Sequence, residues 1–143
     1  MNNSIEINKI TDGLIAFCLM KGVQPHELVT AIFDNEYTSI ETLKKSHHIE
    51  VIVSFNEHVE GSSNPVKMKY TYNEKGYLQR IEQKINAKPY KLQWDRQSKI
   101  DSILEQLKQA LSVNKQESII EKLQKSIPVE LYRTIYPKLQ LVS

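Results

Sequence analysis

The sequence predicts an α+β chain: short N-terminal helices, a four-stranded antiparallel β-meander over about residues 48–95, and C-terminal helices packed on one sheet face. Three observations carry this. The apolar period changes from near 3.6 to 2 at Ile49 and back at Ser98. Turn formers gather where elements should end, and each strand shows a single apolar row that amphipathic helices can cover.

Ile7, Ile10, Leu14, Phe17 and Cys18 recur at helical steps between Glu6 and Lys21, and Gly22 stops that helix. Pro25 suits a first helical position, and Leu28, Val29, Ile32 and Phe33 give a short second helix. A third is expected from Thr38, an N-cap with Glu41 three residues on, through Ile40 and Leu43 to Lys45. Ile49, Val51, Val53 and Phe55 then alternate with Glu50, Ile52, Ser54 and Asn56 as a strand. The run from Gly61 to Pro65 reads as a turn. Val66, Met68, Tyr70 and Tyr72 form the next row, and the connection from Asn73 to Gly76 makes a hairpin. A third strand runs from Tyr77 to Ile85, and Pro89 precedes a short edge strand with Tyr90, Leu92 and Trp94 on its apolar side.

Ile100, Ile103, Leu104, Leu107 and Leu111 restore the helical stripe. Asn114, with Glu117 three residues later, predicts a new helix buried through Ile119, Ile120, Leu123 and Ile127 and ended by Pro128. A last helix should carry Val129, Leu131, Tyr132 and Ile135 before Pro137. The stretch Tyr70 to Ile81 resembles the tyrosine-rich hairpin units of large bacterial repeat proteins over twelve residues, in one copy, which implies hairpin chemistry alone.

At 143 residues the chain fits a single domain, residues 1–143. With 40% hydrophobic and 25% charged residues it lies well away from the compositions that stay disordered. The start, Met1 to Ser4, lacks the pattern of a signal peptide, and no apolar run approaches a membrane span, so no membrane partner and a cytoplasmic location are expected. Cys18 is the single cysteine and excludes an intrachain disulfide, which suits a reducing compartment.

Charge is sorted along the chain. Residues 1–65 hold 4 Lys+Arg against 9 Asp+Glu, residues 66–96 hold 8 against 3, and residues 97–143 hold 7 against 5. The whole-chain balance of +2 therefore conceals a −5 segment followed by a +5 segment. Strand alternation places Lys67, Lys69, Arg80, Lys84 and Lys91 together on the uncovered sheet face as a candidate partner-binding surface, with Glu50 and Glu82 as local neutralising charges. Gln79 and Gln83 on the supposed apolar side, and Leu78 on the open side, conflict with that alternation. Tyr70, Tyr72, Tyr77, Tyr90 and Trp94 fall in the same segment, on the row opposite the lysines, and are assigned to the core.

Catalytic and metal motifs are absent from the pattern. The four histidines, His26, His47, His48 and His58, include no pair at i, i+4, Cys18 sits in an apolar helical row, and the glycines are unclustered. The N-terminal helices have a helix-turn-helix layout with acidic charge, Glu27, Asp34, Glu36 and Glu41, where a polyanion would lie. The expectation is a small non-enzymatic intracellular regulatory or adaptor module without cofactor. It binds another protein, a second copy of itself among the candidates, through the basic sheet face or the C-terminal helix pair, and nucleic acid on the same face is the alternative.

Overall fold

The period change near residue 49 marks a sheet, but the sheet begins earlier in the chain than the periodicity indicates. A computed structural model describes residues 2–111 and 113–139. Its order is α1 (Asn2–Leu19), α2 (Pro25–Val29), a 3₁₀ turn (Thr30–Phe33), β1 (Tyr37–Lys44), β2 (His48–Val59), β3 (Ser62–Asn73), β4 (Leu78–Ile85), β5 (Lys91–Asp95), α3 (Arg96–Ala110), α4 (Val113–Ser126) and α5 (Val129–Leu139). The fold is α+β, with five antiparallel strands in the order β1-β2-β3-β4-β5. Contacts divide the chain into two compact units, Met1–Met20 with Gln97–Ser143, and Lys21–Arg96.

The fifth strand, β1, occupies the segment where a third helix was expected. Ile40 and Leu43 are three apart, which mimics a helical stripe, yet Tyr37, Thr38, Ile40 and Thr42 are aromatic or β-branched and fit a pleated surface better. In register with β2, Ile40 faces Val53 and joins the core, while Leu43 lies on the other face and is 38% exposed. The second helix is correct at its start, with Pro25 in its first turn. Its expected buried side is not: the five-residue helix passes into a 3₁₀ turn, the periodicity is lost, and Phe33 is left 86% exposed.

In the helical unit, Ile7, Thr11, Leu14 and Cys18 of α1 are buried at alternating steps of four and three. Thr11 belongs to this stripe because its hydroxyl donates to the Ile7 carbonyl at 2.8 Å, so no polar group is stranded. Ile100, Leu104, Leu107 and Leu111, then Ile119, Leu123 and Ile127, then Ile135 and Leu139 complete that core. The α3–α4 break falls near the expected place, with α4 starting at Val113; the side chain of Asn114, the expected cap, lies outside the described residues. Pro137 does not end α5. It removes one main-chain donor, and the flanking Ile135 and Leu139, each 1% exposed, hold the helix through it. Lys122 pairs with Asp12 at 2.7 Å and Lys138 with Asp101 at 2.8 Å. The latter bond, with a second from Gln97, holds the Asp101 carboxyl below its ordinary range.

In the sheet unit the apolar rows run straight across the strands: Tyr37, Phe55, Val66 and Ile85; Thr42, Val51, Tyr70, Ile81 and Trp94; Lys44, Ile49, Tyr72 and Leu78. Val23 and Leu28 pack against this face. The segment that carries them is pinned by polar contacts. Tyr72, 1% exposed, donates its hydroxyl to the Val23 carbonyl at 2.6 Å. Gln24 Nε2 donates to the carbonyls of Gly22 and Gly76, and the Leu78 amide donates to the Lys21 carbonyl at 2.8 Å. Gly22 has φ +88°, and a Cβ there would lie 2.9 Å from Leu78 Cβ, so both backbone conformation and space require glycine.

The β2–β3 turn is Glu60-Gly61, with φ 48° and 80°, three residues shorter than the expected Gly61 to Pro65 loop. Ser62 to Pro65 are strand residues. Pro65 is tolerated because its main chain faces away from β2: its carbonyl accepts from Asn86 at 2.9 Å, on the side where the missing N–H would also point.

Three outcomes follow for stability, each read by urea unfolding. Gly22→Ala should lose more than ~1 kcal/mol. Glu60→Asn, which places a residue suited to positive φ in the tight turn, should gain roughly 0.5–1 kcal/mol. Burial, with smaller contributions from Tyr70 and Glu27, pushes the Tyr72 phenol from 10.0 up to about 12. Its contribution is therefore intact below pH 10 and lost as pH rises towards about 12, and Tyr72→Phe should flatten that part of the pH–stability curve.

Candidate functional site on the polar sheet face

The residues between the apolar rows make a second face whose order the register fixes. One row is Ser39, Ser54, Lys67 and Lys84; the next is Glu41, Ile52, Lys69, Glu82 and Leu92; a third is Leu43, Glu50, Thr71, Arg80 and Asp95. Four of the five expected cations, Lys67, Lys69, Arg80 and Lys84, thus share a face. Lys91 does not: it pairs with Gln83, in the row of Val53 and Met68 on the opposite side.

Two bulges explain the error and the Gln79 and Leu78 anomalies, while Gln83 does lie on the apolar side, between Met68 and Lys91. Between Arg80 and Leu78 the ladder skips Gln79, so Leu78 turns inward to 3% exposure although simple alternation puts it outside. Between Trp94 and Leu92 it skips Gln93, and every residue before that point changes face. The Gln93 bulge moves Lys91 off the polar face and brings Tyr90, assigned from sequence to the core, onto it. The Tyr90 ring lies 4.1 Å from Lys69 Nζ and 5.8 Å from Lys84 Nζ. Of the other four aromatics, Tyr70, Tyr72 and Trp94 are in the sheet core, and Tyr77 stands beside Arg96 at 5.6 Å and Lys21 at 5.5 Å.

Electrostatically the face is mixed. Lys67, Lys69, Arg80 and Lys84 are interleaved with Glu41, Glu50, Glu82 and Asp95. Glu82 Oε1 lies 4.0 Å from Lys69 Nζ and 3.5 Å from Arg80 Nε, and His48 Nε2 lies 3.2 Å from Glu50 Oε2. Burial first, and then Glu82, Glu50 and Glu41, raise the Tyr90 phenol above its ordinary value, so the field at that ring is set by carboxylates as well as lysines. Lys67 and Lys84 are the exception to the interleaving, facing each other directly across β3 and β4. Thr71 is 2% exposed and its Oγ1 has no hydrogen-bond partner among the described residues.

The remaining sequence candidates are dispersed. Cys18 is a buried thiol, and among the described residues no three His, Cys, Asp or Glu side chains gather as a metal site. The α3–α4 pair presents no exposed large apolar side chain among the described residues. No described helix is long and apolar enough to cross a membrane. A shallow depression of about 410 Å³ lined by Glu6, Ile10, Gln106, Gln109 and Ala110 lies on the helical unit. Comparison with family models, curated proteins and solved structures gives no match.

The Lys67–Lys84 opposition predicts a cheap stabilisation. Lys84→Glu should raise the unfolding free energy by about 0.5 kcal/mol in urea titration at low salt, with the gain shrinking as salt is added.

Proposed function

We propose that the chain is a non-enzymatic regulatory or adaptor module of a reducing, cytoplasmic compartment that binds another protein through the polar face of its sheet. The observation that carries this is the interleaving of four cations with four carboxylates on that face. A polyanion gains from an unbroken array of positive charge, and each carboxylate within the array repels it. A protein surface with its own mixture of charges can be matched site by site, and like-charge juxtapositions then reject wrong partners. Lys67 and Arg80, the exposed cations of the set, are its first points of contact, and Lys84 with Tyr90 forms a half-buried ledge beside them. The α3–α4 pair, with its stripes buried in the helical core, is the weaker candidate surface.

Anisotropy titration with a labelled single-stranded oligonucleotide should give no saturable binding at about 150 mM salt. Crosslinking in the protein's own cells should capture a protein that the Lys67→Gln/Lys84→Gln variant loses while remaining folded. Saturable oligonucleotide binding whose affinity falls steeply between about 50 and 200 mM salt would assign the face to nucleic acid instead.

A further inference from the structure

Strand β1 is one edge of the sheet, paired with β2 on one side and with no described strand on the other. Its hydrogen-bond phase is fixed at the turn into β2, where the Lys45 amide donates to the His48 carbonyl at 2.8 Å. Alternation from there directs the main-chain groups of Leu43 and Glu41 towards β2 and those of Lys44, Thr42 and Ile40 outwards. Glu41, Thr42, Leu43 and Lys44 are all exposed, so this edge is open where its donors and acceptors point out.

We propose that this edge pairs with the β1 edge of a second copy of the chain, antiparallel and centred on Leu43. The choice of occupant rests on self-complementarity. Centred on Leu43, the two-fold axis is perpendicular to the sheet, each polar face stays on the same side, and Leu43, 38% exposed, meets its own counterpart. Glu41 then stands opposite Lys45 of the other copy, twice over, and Thr42 opposite Lys44, a pairing in which both residues have outward main-chain groups and exchange hydrogen bonds. Centring on Glu41 instead sets two carboxylates against each other, and centring on Thr42 leaves Glu41 facing Leu43. Charged residues on an edge strand ordinarily discourage pairing. Among registers centred on Glu41, Thr42 or Leu43, the same charges favour Leu43. This inference uses the sheet edge alone and stands apart from the reading of the polar face, which the pairing would double in width.

Sedimentation equilibrium of the full chain tests it. Wild type should show a concentration-dependent monomer–dimer equilibrium. Glu41→Lys should weaken it about tenfold or more, and Glu41→Lys/Lys45→Glu should restore it by exchanging the two partners. Thr42→Pro, which removes an outward donor without touching the β1–β2 ladder, should abolish dimerisation with the circular dichroism spectrum unchanged. Wild type that stays monomeric to about 1 mM would overturn the proposal. So would a dimer indifferent to Glu41→Lys or Thr42→Pro, or a charge exchange that fails to restore association.

Discussion

Strand register is the constraint on which everything else in the sheet unit depends, because in a pleated sheet a slip of one residue exchanges the two faces. Besides the skip of Thr38 on β1, the exchange is made on β4 at Gln79 and on β5 at Gln93, and each of these two serves a definite end. The first turns Leu78 into the core beside Tyr72. The second keeps Trp94 in the core, opposite Ile81, while sending Tyr90 to lie against Lys69 and Lys84. Without the Gln93 bulge the polar face would carry five cations and no aromatic ring; with it, the face carries four cations and a tyrosine.

The first bulge is held by the contacts around Leu78. Its amide donates to the Lys21 carbonyl and its carbonyl accepts from Arg96 Nε at 2.6 Å, so both main-chain groups of one residue are used by segments outside β3 and β4. Arg96 is 4% exposed, and its guanidinium stands 5.6 Å from the Tyr77 ring and 5.7 Å from the Trp94 ring. A cation so placed is stabilised by the ring faces and the carbonyl together. Gly22 permits the close approach of the Lys21–Gln24 segment, and Tyr72 and Gln24 fix it. Loop, hairpin turn and strand end therefore support one another, and the register of β4 follows from their mutual fit.

The α+β class, the helix stripes and the two-residue periodicity of β2 and β3 were legible because apolar spacing survives in them without interruption. The β1 segment was not, since Ile40 and Leu43 satisfy a helical step while only the partner strand distinguishes Ile40 as inward. Bulges are also poorly marked in sequence. The residues skipped on β4 and β5 are glutamines, ordinary on any strand surface, yet Leu78 on the supposed open side was a true signal: a large apolar residue out of phase with its strand points to an inserted residue. No comparable signal marked Lys91, whose side chain is at home on either face of an edge strand. The exposure of Phe33 escaped for a third reason, the shortness of α2, which ends before its stripe can be presented to a core.

The segregation of charge along the chain, acidic before residue 66 and basic after it, becomes interleaving once β1 and β2 are laid beside β3 and β4. The acidic strands contribute Glu41 and Glu50 and the basic ones contribute Lys67, Lys69, Arg80 and Lys84, so folding itself converts a polarised sequence into a mixed surface. The face assignment that underlies this is open to direct observation by nuclear Overhauser spectroscopy on the labelled full chain. The account predicts cross-peaks from the Tyr90 ring protons to the Lys69 and Lys84 methylenes, with Lys91 close to Gln83 and Met68. Cross-peaks from Lys91 to Lys84 or Lys67, with the Tyr90 ring among Ile85 and Val66, would contradict it.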